Sequence, residues 1–257
     1  MKLPQTTPTD LKKFLGAIKA DLPVLLKEKL QGIYIYGSLS YGNFGENRSD
    51  VDVAVVIKEK LNKAAITKID NWFKQKKLKA NRWHKRAEID FIQLGDLKEL
   101  KSNTIKTVRL AGGKLRKTAK MEGIGLDLVN LREQGIVIFG HSPKKIFPKI
   151  PRVFLKKALK EKYLHLKRNA PKWEKIDLWN QQFLVSQFCR VLYAVKNNYQ
   201  AVSKKSATQW AIKNTPKKFV PMVRVTLKKI DNFYGPRKEI ISDSLPSFIN
   251  YVGSKFK

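Results

Sequence analysis

Residues 35–57 read Ile-Tyr-Gly-Ser-Leu-Ser-Tyr-Gly-Asn-Phe-Gly-Glu-Asn-Arg-Ser-Asp-Val-Asp-Val-Ala-Val-Val-Ile, and this stretch decides the fold. An apolar strand, Ile33 to Tyr36, runs into Gly37-Ser38, and a Gly-rich loop then leads to Asp50-Val51-Asp52. These last residues open a second apolar strand that ends near Ile57. Gly37 lets the backbone turn sharply without a Cβ clash, and its neighbours' N–H groups can face a phosphate. Residues two apart on a strand project from one face, roughly 7 Å apart along the chain, so Asp50 and Asp52 are predicted to share a face. Two unpaired carboxylates there are costly, whereas a bound Mg²⁺ favours both ionised. Gly-Ser alone is a common turn, and Asp-x-Asp alone is often a solvated strand end or a calcium loop. Together, in this order and each joined to an apolar strand, they form the layout for a Mg²⁺-nucleoside triphosphate.

Further on, Arg86-Ala-Glu-Ile-Asp-Phe-Ile-Gln-Leu94 alternates Ala87, Ile89 and Phe91 with Glu88 and Asp90. That pattern predicts a strand with one apolar and one acidic face. Glu88 and Asp90 point the same way, and geometry does not choose between them.

The stretch from Ile35 to Ile57 resembles the signature of the DNA polymerase β-like nucleotidyltransferase superfamily: hydrophobic strand, Gly-Ser, short loop, Asp-x-Asp. The resemblance implies a small mixed sheet flanked by helices, two metal-binding aspartates and a third carboxylate from a later strand. It also implies nucleotidyl transfer from a triphosphate to a hydroxyl, with release of pyrophosphate. In the antibiotic-modifying branch the later strand is similar to Glu-Val-Asn/Thr-Phe/Val, with the acid first. By that match Glu88 is the third carboxylate and Asp90 takes the neighbouring polar position.

Composition bounds what else the chain can be. With 257 residues at 42% hydrophobic it can bury one large core or two modest ones. Its first ten residues have no apolar core of a secretory signal, and no apolar run approaches the roughly 20 residues that span a bilayer. The single cysteine, Cys189, excludes an internal disulfide, fits a reducing, cytoplasmic setting and reads as plain helical core. The three histidines show no zinc spacing. Lys and Arg number 53 against 21 Asp and Glu, a net charge of +32 that attracts nucleotides and polyanions. Because lysine is spread along the whole chain, without an Arg-rich tail or an aromatic-interleaved motif, the charge reads first as a general surface property. An RNA partner is the alternative.

The chain is predicted to be α+β, with a nucleotidyltransferase domain over 1–150 and a helical domain over 151–257. The first part reads as a helix from Asp10 to Gln31, broken or kinked at Asp21-Leu22-Pro23, then the two signature strands. A helix from Asn62 to Lys77 and the Glu88 strand follow. Over 95–125, Gly112-Gly113 and the basic cluster Lys114 to Lys120 suggest a mobile loop or a late helix. Leu126 to Gln134 reads as a helix and Gly135 to Gly140 as a short strand. The proline-rich segment 142–151 marks the domain boundary. Beyond it helices are expected at Val153–Arg168, Asp177–Asn197, Ser206–Asn214, Lys217–Phe233 and Leu245–Phe256.

Two later stretches narrow the family. Leu128-Val-Asn-Leu-Arg-Glu-Gln-Gly-Ile-Val-Ile-Phe-Gly140, with Phe147-Pro-Lys-Ile-Pro-Arg152, resembles the linker of the streptomycin/spectinomycin adenylyltransferases. Phe188-Cys-Arg-Val-Leu-Tyr193 and Val202-Ser-Lys-Lys-Ser-Ala-Thr-Gln-Trp-Ala211 are similar to the core of their helical domain. The resemblance implies an ATP-using, Mg²⁺-dependent, antibiotic-resistance type of enzyme in which Asp50, Asp52 and Glu88 hold the metal and Glu88 is the base. Gly37 and Ser38 would bind the β- and γ-phosphates. Arg190 and Lys204, charges that are hard to explain as core, would contact the triphosphate. The acceptor would be a small hydroxyl compound such as an aminoglycoside. Alternatives are an RNA or protein acceptor, or a non-catalytic nucleotide- or polyanion-binding protein, which the complete carboxylate set argues against. The chain departs from the pattern at Asn180, where the resistance enzymes carry an acid, with Asp177 or Glu174 as substitutes. It departs also in a signature loop one residue longer, which leaves the role of Ser49 open, and in a tyrosine replaced only nearby by Tyr234.

Overall fold

Apolar strands buried on both faces organise the first half of the chain. The computed structural model describes residues 3–47, 49–100, 103–122, 124–173, 178–231 and 239–256. It separates into two compact units, Met1–Lys149 and Ile150–Lys257. Asp177, Glu174 and Tyr234, considered above as substitutes, lie outside the described residues.

In the first unit, helix α1 (Thr9–Leu26) buries Leu11, Phe14, Leu15, Ile18, Leu22 and Leu26, the stripe its sequence spacing predicts. It runs through Pro23 rather than stopping there. The carbonyl that Pro23 cannot serve belongs to exposed Lys19, where water can take the bond. Strand β1 (Leu30–Tyr36) leads into the single helical turn α2 (Gly37–Ser40), and β2 (Val51–Ile57) follows. Helix α3 (Lys63–Phe73) is capped by Asn62, whose Oδ1 accepts from the Ala65 N–H at 2.9 Å. It ends earlier than Lys77, and a separate turn, α4 (Lys76–Lys79), completes the crossing to β3 (Ala87–Gln93). A short helix, α5 (Leu94–Lys98), follows.

Residues 104–122 correct the sequence expectation. They form a hairpin, β4 (Thr104–Ala111) and β5 (Lys114–Glu122), not a loop or a helix. Gly112 and Gly113 both adopt positive φ, +61° and +75°, and so make the two-residue turn whose twist matches paired strands. Helix α6 (Ile124–Gln134), strand β6 (Ile136–Gly140) and the turn α7 (Pro143–Ile146) complete the unit.

The six strands lie in the order β5-β4-β3-β2-β1-β6. Only β2 and β3 are parallel, the pair joined through α3 and α4. One face of the sheet (Ile33, Ile35, Val51, Val53, Val55, Ala87, Ile89, Phe91) packs with the apolar stripes of α1 and α3 in a single core. Alternation therefore puts Tyr36, Asp52, Glu88 and Asp90 on the opposite face.

The second unit is helical: α8 (Arg152–Trp173), α9 (Leu178–Lys196), α10 (Lys204–Asn214), α11 (Val220–Asp231) and α12 (Glu239–Gly253). Helix α9 packs against the other four. It buries Leu184, Val185, Phe188, Cys189, Val191 and Leu192, a run too continuous for a surface helix. Burial pushes the Cys189 thiol up to about 12, as befits a core residue. No helix among the described residues is long and apolar enough to cross a membrane.

Candidate active site

Strand register gathers the signature residues. Tyr36 pairs with Asp52 across β1 and β2, and Asp52 pairs with Glu88 across β2 and β3. One row further, Ala54 pairs with Asp90, and Asp90 with Arg109 of β4. Exposed Asp50 precedes β2 and faces Glu88 closely enough to raise its carboxyl.

Gly37 closes the turn against this row. Its φ is +68°, and a Cβ built on it would fall 1.9 Å from Asp52 Oδ2. The turn backbone therefore lies on the Asp52 carboxylate, an approach only glycine permits. A residue not singled out by the sequence reading holds the turn in place. Asn130 of α6, 2% exposed, accepts the Gly37 N–H on its Oδ1 at 2.8 Å. Its Nδ2 donates to Ser40 Oγ at 3.1 Å, while Ser40 Oγ donates to the Gly37 carbonyl at 3.0 Å. The Gly37 N–H is thus engaged within the protein, and a phosphate at this turn is left Ser38 and the N–H groups beyond it. Ser49 also gains a place: its Oγ accepts the Gly45 N–H at 2.9 Å and its own N–H donates to the Gly45 carbonyl at 2.8 Å.

The structure treats Glu88 and Asp90 differently. Asp90 is fully buried, and its Oδ1 accepts from Thr107 Oγ1 at 2.7 Å and from Arg109 Nε at 2.8 Å. Glu88 remains 42% exposed, with Arg109 Nη1 3.7 Å from its Oε2. Burial chiefly raises the Glu88 carboxyl above its ordinary value; Arg109 opposes the rise, and Asp50 and Asp90 add to it. The buried Tyr36 phenol is driven well above its usual range by desolvation, then by Asp52, Asp90 and Asp127. Asp127, on α6, is thus a further acid whose charge is felt at Tyr36 and which the sequence reading did not single out. In a chain of net charge +32 this one face concentrates carboxylates.

The donor set suits a divalent cation: oxygen ligands in mutual repulsion, with the Glu88 carboxyl raised by burial and by its acidic neighbours. No three acids, histidines or cysteines among the described residues gather into a cage by themselves. Mg²⁺ usually takes one or two carboxylates together with substrate phosphates rather than a full protein cage.

In the helical unit, Arg190 of α9 is half-buried and its Nε donates to the Val202 carbonyl at 2.9 Å. Its charge is therefore less destitute of partners than its apolar neighbours suggest. Lys204 opens α10 beside the cap Ser203, and its Nζ lies 5.2 Å from the centre of the Phe183 ring on α9. Both cations thus belong to the α9–α10 part of their unit, Arg190 bonded to the segment that precedes α10 and Lys204 against a ring of α9.

Two family models match the chain. The nucleotidyltransferase domain matches residues 11–124, and the C-terminal domain of aminoglycoside adenylyltransferase matches residues 145–255. The chain belongs to the aminoglycoside adenylyltransferase-like nucleotidyltransferases. Among solved structures this nucleotidyltransferase is similar to the spectinomycin adenyltransferase of Enterococcus faecialis, crystallised with ATP and spectinomycin. The TM-score is 0.71 at 17% identity, over 95% of this chain and 98% of that one, a likeness of fold. No curated protein matches the nucleotidyltransferase in sequence.

Gly37→Ala in this nucleotidyltransferase is expected to cost about 1–2 kcal/mol from the left-handed backbone. Its Cβ would also displace the Asp52 carboxylate, and misplacement on the ångström scale lowers turnover about 10²-fold. Thermal melts and steady-state kinetics check both. Normal turnover with lowered stability would separate the turn from the chemistry.

Proposed function

We propose that this enzyme moves AMP from ATP to a hydroxyl of a small acceptor of the aminoglycoside type, in a Mg²⁺-dependent reaction in the cytoplasm. The observation that carries the reading is the side-by-side pairing of Asp52 and Glu88 on parallel strands, with the Gly37 turn pressed on Asp52. The acceptor oxygen attacks the α-phosphorus, the α–β phosphoanhydride bond breaks, and pyrophosphate leaves.

Asp50, Asp52 and Glu88 are the residues that would hold Mg²⁺, which when bound supplies charge neutralisation and in-line orientation of the triphosphate. Glu88 accepts the proton of the attacking hydroxyl. Its partial exposure and raised carboxyl suit it to that role better than Asp90, which is committed to Thr107 and Arg109. Ser38 and the Gly37 turn contact the β- and γ-phosphates. Arg190 and Lys204 are assigned by family resemblance to the same phosphates.

The acceptor is tested by incubating the enzyme with labelled ATP, Mg²⁺ and panels of aminoglycosides, spectinomycin and RNAs, scoring pyrophosphate release. Release that requires RNA alone would replace the small-molecule acceptor. Arg190→Ala and Lys204→Ala are each expected to cost about 1.5–3 kcal/mol of nucleotide affinity, roughly 10- to 150-fold, by calorimetry. Wild-type affinity in both would remove these two residues from the nucleotide site.

A further inference from the structure

We propose that Arg86 is the positioning residue of Asp50, a role that rests on reading Asp50 as a metal ligand. Asp50 stands at the end of a long loop and outside the strand, yet a catalytic carboxylate must be held within a fraction of an ångström. Both peptide groups flanking Asp50 end on one residue. The Ser49 carbonyl, on its N-terminal side, accepts from Arg86 Nη2. The Val51 N–H, on its C-terminal side, donates to the Arg86 carbonyl at 3.0 Å. Holding these two peptide groups sets the Asp50 Cα and the direction of its Cα–Cβ bond, from which the carboxylate projects.

The guanidinium is itself held. Its Nη1 donates to the Glu46 carbonyl at 2.7 Å, so one planar fork bridges two carbonyls of the same loop. It lies 4.4 Å from the centre of the Trp83 ring, and Trp83 is fully buried with Phe44 of the loop packed 5.4 Å away. A second guanidinium, Arg82, sits over the same ring at 4.9 Å and pairs with Glu46 and Asp10. Its hydrogen bond holds the Asp10 carboxyl down to about 2. Arg86 also leads directly into β3, two residues before Glu88, so one residue sets the first and third carboxylates relative to each other. Lysine offers a compact point charge with rotatable donors in place of the rigid planar fork, so it holds the two carbonyls less firmly.

The test titrates Mn²⁺ by electron paramagnetic resonance with a non-hydrolysable ATP analogue, on wild type, Arg86→Met, Arg86→Lys and Asp50→Asn, alongside kcat, KM and thermal melts. Arg86→Met keeps the stem over Trp83 but loses the fork, and should weaken Mn²⁺ binding on the order of tenfold. The same substitution should lower kcat with the acceptor KM unchanged. Arg86→Lys should fall between it and wild type, and decides the matter if the methionine variant does not fold. Wild-type Mn²⁺ affinity and kcat in a folded Arg86 variant, with Asp50→Asn impaired, would overturn the role of Arg86 alone. Wild-type Mn²⁺ affinity in Asp50→Asn would remove the metal-ligand reading of Asp50, and the role of Arg86 with it.

Discussion

Asp52→Asn is expected to lower transfer on the order of 10³-fold or more while leaving the protein folded. Asp52 is the hub of the site: Tyr36 flanks it on one strand, Glu88 on the next, and the Gly37 backbone lies against its carboxylate. Asparagine preserves the shape, so the turn should keep its path. The loss is of an anionic oxygen that would bind the cation. Because the charges of Asp52, Asp90 and Asp127 are all felt at the Tyr36 phenol, removing one of them also relieves repulsion. The melting temperature of the metal-free variant should hold or rise. Unchanged turnover would remove Asp52 from the metal site, and a large fall in melting temperature would recast it as structural.

Glu88→Gln should lower kcat about 10²–10⁴-fold with little change in nucleotide affinity, the pattern of a lost general base. Its effect on stability has a definite sign. Burial raises the Glu88 carboxyl in the folded protein, so its ionisation at neutral pH opposes folding. Glutamine mimics the protonated form, and the metal-free variant should match or exceed wild type at pH 7. The difference should vanish as pH falls below the ordinary carboxylate value, where wild-type Glu88 is itself protonated. Asp90→Asn should behave in the opposite way. It leaves Arg109 facing a neutral amide in a buried position, and should cost about 2–3 kcal/mol of stability with a smaller effect on chemistry. A ranking with Asp90→Asn the more damaging in single-turnover kinetics would exchange the two carboxylates' roles.

The nucleotidyltransferase signature is legible in the residues around the turn because several local signals agree there, while the helical pattern beyond residue 151 and the stretches 128–152 and 188–211 complete the α+β reading and narrow the family. Continuous apolar runs mark β1 and β2 as buried strands, and the intervening glycines permit the turn. The period-two alternation of β3 puts its acids on one face. Lysine and arginine crowd β4 and β5 and mask their alternation, so Gly112-Gly113 with the basic cluster suggests a mobile loop or a late helix where the hairpin stands. Two adjacent glycines are in fact the signal of a two-residue hairpin turn. Asn130, Asp127 and Arg109 were missed for a different reason. Each reaches the site across a long sequence separation, and strand register and helix placement are tertiary facts that no local pattern carries. Pro23 shows the converse: its local tendency to end a helix yields to the buried apolar stripe that continues to Leu26.

The most direct measurement of the central claim is pyrophosphate release from ATP by wild type and Asp52→Asn, with and without Mg²⁺, across the acceptor panel. The account predicts release in wild type that requires both Mg²⁺ and a hydroxyl-bearing acceptor, and near-background release in Asp52→Asn. Equal release by the two proteins, or release from wild type that is indifferent to Mg²⁺, would contradict it.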